Sequence, residues 1–127
     1  MTQTLANKRI PLNVISYGDA EIAEVMDSLR SGYVTMGKKV KRFEEMWAEY
    51  VGVKHAIMVN SGSSANLLAL SALMLTQGLH PGYEVITPAL TWATTIFPIA
   101  QVGLVPVLVD VKLDTYNIDP EAVKEAI

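Results

Sequence analysis

Hydrophobic positions recur with two different periods along the chain, and each period predicts a different kind of element. Apolar residues recur at helical spacing from Ile22 to Leu29 and from Val40 to Val51, so both segments are predicted to be amphipathic helices. Asp19 stands where a helix cap is needed, and Gly52 is placed to close the second helix in a left-handed conformation. Trp47 falls on the apolar stripe of the second helix and is predicted to anchor a core.

The second half of the chain alternates short apolar runs with helical patterns. The runs predict strands at 56–59, 84–87 and 105–109, and the patterns predict helices at 65–75, at 94–102 despite Pro98, and from Glu121 onward. Asp119 and Pro120 indicate the start of this last helix, with Pro120 at its first position. Strand, helix and strand within about 30 residues predict βαβ units and therefore a mainly parallel sheet with helices on both faces. The helix at 65–75 is mostly Ala, Leu and Met, and we expect it to be buried on nearly all sides. The fold class is α/β.

The ends of the chain predict its organisation. Residues 1–18 lack periodicity and are predicted to form an arm, while 19–127 are predicted to belong to one incomplete domain. By residue 127 the strand-helix alternation has not closed a sheet, so we expect a fragment or a truncated gene product. Hydrophobic residues make up 50% of the chain and the mean hydropathy is +0.28, which suits a core piece of a larger α/β protein.

Charge and composition exclude several partners. The net charge of −3 gives no electrostatic reason to expect nucleic acid. There is no cysteine, which excludes disulfides and thiolate sites, and His55 and His80 have no second metal ligand nearby, so no metal site is predicted. The longest apolar stretch, 65–75, is too short to span a bilayer. We expect a cytoplasmic protein without membrane contact.

Where the first predicted strand gives way to a helix, small polar residues crowd one turn around Gly62, namely Asn60, Ser61, Ser63, Ser64 and Asn66. The first amides of a helix have no partners inside it and carry partial positive charge, so glycine and serine there allow a phosphate to approach closely. Serine and asparagine are also ordinary helix caps. Local chemistry leaves both interpretations open, an anion site and a plain cap.

Other phosphate and nucleophile motifs do not fit this stretch. A Walker A loop needs lysine after its last glycine, whereas Ser63 follows Gly62. The three spaced glycines of a dinucleotide fingerprint and a Gly-x-Ser-x-Gly elbow are also missing. What remains is a monophosphate site made of backbone amides and hydroxyls.

Trp92 stands at the next strand-to-helix junction, near the carboxyl end of a predicted parallel strand, where ligands bind in open α/β sheets. By itself Trp92 is more simply interpreted as a core residue. Combined with a phosphate site at Gly62, an indole there indicates a planar phosphorylated cofactor. Pyridoxal phosphate (PLP) has that shape.

Five stretches in order resemble the DegT/DnrJ/EryC1/StrS family of PLP-dependent sugar aminotransferases and their dehydratase relatives. They are Ser-Gly-Tyr-Val-Thr-Met-Gly (31–37), Val-Asn-Ser-Gly-Ser-Ser-Ala-Asn-Leu (59–67), Pro-Gly-Tyr-Glu-Val-Ile-Thr-Pro (81–88), Thr-Trp-Ala-Thr-Thr (91–95), and Pro-Val-Leu-Val-Asp-Val (106–111) with Thr-Tyr-Asn-Ile-Asp (115–119). The resemblance implies the fold of aspartate aminotransferase, with 19–127 as the N-terminal portion of the PLP-binding large domain.

The same resemblance implies roles for five residues. Gly62 and Ser63 would bind the cofactor phosphate, Trp92 would stack on the pyridine ring, and Thr35 and Met36 would line the side that binds the nucleotide-sugar substrate. Family members work as homodimers on nucleotide-linked keto-sugars, so a homo-oligomer acting in cell-surface polysaccharide biosynthesis is implied.

No catalytic residue is carried over to this chain. The family's Schiff-base lysine lies beyond residue 127, and none of the lysines from Lys38 to Lys124 matches it. In the dehydratase branch a histidine replaces that lysine, and the stretch 61–66 is similar to that branch. We place aminotransferase first because it is the larger class and sugar 3-dehydratase second. A third possibility is a non-catalytic fragment that folds by self-association, which a well-folded monomer in sedimentation would count against.

We predict that the 127-residue chain alone does not transaminate, because the residue that forms the Schiff base is missing. The measurement adds PLP and a nucleotide-linked keto-sugar to the purified chain and follows cofactor absorbance and product. Turnover by this chain would contradict the prediction.

Overall fold

A computed structural model describes residues 11–127, which form five helices and one two-stranded sheet. In chain order they are α1 (Asp19–Arg30), α2 (Lys38–Val51), α3 (Gly62–Gln77), β1 (Glu84–Pro88), α4 (Ala93–Gln101), β2 (Val105–Val109) and α5 (Pro120–Glu125). The chain divides into two compact units, the first ending at Ala56 and the second running from Ile57 to Ile127. Residues 1–10 of the predicted arm lie outside the described part, and residues 11–18 precede α1.

The cap of α1 lies one residue earlier than predicted. Gly18 occupies the cap position and Asp19 is the first helical residue. The reason is local: the Gly18 N–H donates to the Glu21 carboxylate at 2.7 Å, so the side chain of the first turn reaches back to the cap. This hydrogen bond lowers the pKa of Glu21.

Lys39, near the start of α2, ties that helix to α1. Its Nζ lies 2.6 Å from Glu24 Oε2 and 2.9 Å from Asp27 Oδ2, and it donates to the Glu24 carbonyl at 2.8 Å. The hydrogen bonds to these carboxylates raise the pKa of Lys39. The Lys39 ammonium thus makes three contacts that hold the start of α2 against α1.

The C-terminal end of α2 agrees with the prediction, but its aromatic stripe does not. Gly52 closes the helix with φ +78, as expected for a left-handed cap. Trp47 stacks on Phe43, with ring centroids 6.0 Å apart, and lies tilted against Tyr50, with ring centroids 5.7 Å apart. The prediction that Trp47 anchors a core is wrong for this unit, because 49% of the residue is exposed and its neighbours are rings of the same helix.

The second unit is built on a parallel βαβ arrangement. β1 and β2 pair in parallel register from Glu84 opposite Val105 to Pro88 opposite Val109, which confirms two of the three predicted strands. α4 connects the strands and contacts both of them. The buried side chains of this unit belong to α4, the strands and the turn between them, namely Thr87, Pro98, Ile99, Leu104 and Val109.

The third predicted strand, 56–59, is not formed within the described residues. This segment pairs with neither strand, and Ile57 is 73% exposed. A strand exists only through hydrogen bonds to a neighbour, whereas an apolar run in a sequence records only a preference for burial.

Helix α3 starts earlier and is more exposed than predicted. It begins at Gly62, packs against α4, and has no buried residue; Leu75 is 87% exposed. The expectation of burial on nearly all sides is therefore wrong for this chain, because α4 covers only part of an apolar helix. Within residues 11–127 no helix has the length and apolarity needed to cross a membrane.

A narrow turn carries the chain from β2 to α5. Val111 and Ile118 form an antiparallel bridge, and the Lys112 N–H donates to the Asn117 carbonyl at 2.9 Å. α5 then starts as predicted: the Asp119 side chain accepts from the Glu121 N–H at 3.0 Å, and a proline occupies the first turn.

We expect Gly103→Ala to lower the unfolding free energy by about 1–2 kcal/mol, measured by urea unfolding, because Gly103 has φ +82, where a Cβ is strained. The new Cβ would also lie 3.2 Å from Pro81 Cβ. Gly62→Ala is the matched control: its Cβ would meet nothing within 4 Å, so stability should change by less than about 0.5 kcal/mol. Equal losses in the two variants would contradict this assignment.

Candidate functional site

Ser61 caps the N-terminus of α3. Its backbone is extended, with φ −163 and ψ 161, and its Oγ accepts the Ser64 N–H at 3.1 Å. The Ser61 Oγ also donates to the Ser64 Oγ at 3.1 Å, and its carbonyl accepts the Ala65 N–H at 3.0 Å. Ser61 therefore acts as an ordinary helix cap, which is one of the two interpretations left open by the sequence.

The cap leaves two amides of the first turn available. The N–H groups of Gly62 and Ser63 donate to no acceptor within residues 11–127, and both residues are exposed. Unpaired amides at this position carry the partial positive charge of the helix dipole. The space where a Gly62 side chain would stand is open. The cap and the anion site are thus compatible, since they use different residues.

Trp92 occupies the N-cap of α4, four positions beyond the last residue of β1. Its interpretation as a core residue is wrong for this chain, because 81% of it is exposed. The backbone at Trp92 is extended, and the Thr91 hydroxyl donates to Thr95 Oγ1 at 3.1 Å across the start of the helix. The indole is therefore presented at a defined turn and offers an uncovered aromatic face.

A side-chain hydrogen bond joins the two helix ends. Asn66 Nδ2, in α3, donates to the carbonyl of Thr94, in α4, at 3.1 Å. Sequence reasoning counted Asn66 among the residues of a polar turn and missed this role. The signal available in the sequence was Pro98, four residues after Thr94, because a proline cannot donate to the carbonyl one turn earlier.

Gly62, Ser63 and Trp92 are thus brought to the N-termini of two helices that pack together in the second unit. Thr35 and Met36 lie in the first unit, in the segment between α1 and α2, and both are exposed.

The segment that carries Thr35 and Met36 has its own internal supports. The Tyr33 N–H donates to Ser31 Oγ at 3.1 Å. A Cβ on Gly37 would lie 2.7 Å from the Tyr33 ring, so the ring occupies space that only glycine leaves free. A groove of about 790 Å³ beside this segment is lined by Thr35 together with residues of α1 and α2, and Met36 is not part of its lining.

Comparison with known proteins identifies the family of this chain. Residues 16–127 match the DegT/DnrJ/EryC1/StrS aminotransferase family. The GDP-4-keto-6-deoxy-D-mannose 3-dehydratase of Escherichia coli O55:H7 is 43% identical over 119 residues, which are 92% of this chain and 31% of that protein.

Solved structures give the same result. The E. coli GDP-4-keto-6-deoxy-D-mannose-3-dehydratase with bound hydrated PLP matches with a TM-score of 0.86 and 43% identity, over 92% of this chain and 31% of that one. A DegT DnrJ EryC1 StrS aminotransferase from Brucella abortus matches with a TM-score of 0.71 and 35% identity, over 84% of this chain and 27% of that one.

The chain spans about a third of the length of the E. coli relative. The fold expected from the sequence, the N-terminal portion of an aspartate aminotransferase-like large domain, is confirmed by these neighbours. Because the family match covers nearly the whole chain, the protein belongs to the DegT/DnrJ/EryC1/StrS aminotransferase family and corresponds to the N-terminal part of its members.

Proposed function

We propose that this chain is the phosphate- and ring-binding part of a PLP enzyme acting on nucleotide-linked keto-sugars. The observation that carries the proposal is the pairing of two unpaired amides, at Gly62 and Ser63, with an exposed indole, at Trp92, on adjoining helices. The bound PLP in the E. coli relative supports the same cofactor here.

The residues present fit this cofactor. A phosphate dianion is stabilised by the first-turn amides and the dipole of α3, and the exposed Ser63 can add a hydroxyl donor. The open space at Gly62 lets phosphate oxygens come close to the backbone. The Trp92 face suits the flat pyridine ring. When bound, PLP supplies an electron sink for carbanion chemistry.

In this proposal the chain binds and orients, and it does not itself carry the reacting group. Gly62 and Ser63 fix the phosphate end, while Trp92 sets the plane of the ring. Thr35 and Met36 contact the nucleotide-sugar substrate from the segment between α1 and α2. The whole protein works in the cytoplasm, and it works as a homodimer, which is what the family resemblance implies.

Two reactions are candidates for the whole protein. Removal of the 3-hydroxyl from a GDP-linked 4-keto-6-deoxy sugar is favoured by the 43% identity to a 3-dehydratase. Transamination of a keto-sugar is the second candidate, supported by the 35% identity to an aminotransferase. The residue at the position of the family's Schiff-base lysine distinguishes the two reactions. A histidine there would support dehydration, and a lysine would support transamination.

We expect Gly62→Ala to weaken binding of both PLP and inorganic phosphate by about 5- to 30-fold, because a methyl group would obstruct the approach to the first-turn amides. Isothermal titration of the purified chain measures both affinities. Thr76→Ala, which removes a hydroxyl bonded to Ala72 within the same helix, is the control and should leave them unchanged. Unaltered binding in Gly62→Ala would remove this site from the proposal.

We expect Trp92→Ala to lower PLP affinity by about 3- to 10-fold and to leave inorganic phosphate affinity unchanged, since only PLP presents a ring for stacking. The same titrations measure it. The control is Trp47→Phe, a change confined to the aromatic stripe of α2. An equal loss for both ligands would mean that Trp92 does not contact the ring.

A further inference from the structure

We propose that Asn66 is a positioning residue that supplies the donor missing at Pro98 and thereby holds the turn that carries Trp92 against helix α3. The hydrogen bond itself is independent of any ligand. Its consequence for cofactor binding rests on the proposed function.

The first step is the missing donor. In an α-helix the N–H of residue 98 would donate to the carbonyl of residue 94. Pro98 lies within α4 and has no N–H, so it cannot donate to the Thr94 carbonyl. Pro98 is also fully buried, and its side chain is held in the core of the second unit. The interruption in α4 is therefore fixed by packing.

The second step is the replacement. The Asn66 amide donates to this same carbonyl at 3.1 Å, from a residue 28 positions away in the sequence. An aspartate could not donate at this position, and an alanine could not reach it. Asparagine thus completes the first turn of α4 from a neighbouring helix.

The third step is the location of the bond. Asn66 lies one helical turn after Gly62, and Thr94 lies two residues after Trp92. The hydrogen bonds Ser61–Ser64 and Thr91–Thr95 each stay within one helix end, whereas Asn66–Thr94 connects the two ends. A change at Asn66 should therefore loosen the turn that presents Trp92 while leaving the α3 cap intact.

A double-mutant cycle tests the replacement. Asn66→Ala should raise the unfolding equilibrium constant by about 2- to 10-fold, the range of one neutral hydrogen bond. In the Pro98→Ala background the same change should have almost no effect, because the helix then supplies its own N–H. Pro98→Val, closer to proline in volume, serves the same purpose if Pro98→Ala unfolds the chain. Thr76→Ala is the matched control and should be additive with either change, since its hydroxyl bonds within α3.

Trp92 itself reports the positioning. The chain has two tryptophans, so Trp47→Phe leaves Trp92 as the single fluorophore. Without any cofactor, Asn66→Ala should lower the fluorescence anisotropy attributable to Trp92, and adding Pro98→Ala should restore it. With PLP, Asn66→Ala should reduce affinity by about 2- to 10-fold and leave inorganic phosphate affinity unchanged.

An additive cycle, or an anisotropy that does not change, would overturn the inference. PLP affinity that is the same with and without Asn66 would overturn its positioning role. Absence of PLP binding to the parent chain would instead count against the proposed function, while the cycle and the cofactor-free anisotropy would still decide the inference.

Discussion

A proline buried inside a helix sets the constraint on which the second unit depends. Pro98 belongs to the face of α4 that packs with Ile99 into the core beside β1 and β2. The same residue interrupts the backbone hydrogen bonding of α4, because it has no N–H. The carbonyl released at Thr94 accepts from Asn66 of α3 instead. Pro98 therefore has two effects: its side chain packs in the core, and its missing N–H leaves the Thr94 carbonyl to accept from another helix.

The N-terminal ends of the two helices offer different binding groups. α3 offers backbone amides whose charge comes from the peptide dipole, and α4 offers an aromatic surface at its cap. In the proposed site neither end uses a buried ion pair, and the cofactor phosphate would be held by backbone amides without a cationic side chain. Such a site depends on the geometry of the two helices more than on any single side chain, which is why their mutual attachment matters.

Local sequence signals predicted local structure well. The cap glycine Gly52, the helix start at Asp119 and the strands predicted at 84–87 and 105–109 follow from turn chemistry and short apolar runs. All are observed, the first strand one residue longer than predicted. The errors concern burial. Trp47 and the apolar sides of α3 prefer to be covered, but a sequence pattern does not identify the covering element. Of the candidate site, the positions of Gly62 and Trp92 at helix starts were predictable, whereas the Asn66–Thr94 contact depends on how two helices meet.

The glycines of residues 11–127 differ in what the structure requires of them. Five of them have φ between +65 and +93, where the backbone itself favours glycine, namely Gly32, Gly52, Gly78, Gly82 and Gly103. Gly62 has no such conformation and no neighbour within 4 Å of a would-be Cβ, so nothing in the folded chain demands a glycine there. A screen that selects only for folded protein would therefore accept side chains at position 62 and select against them at these five positions. Variants selected in that way could lose the ability to bind a ligand at position 62 while their folding stability stays unchanged.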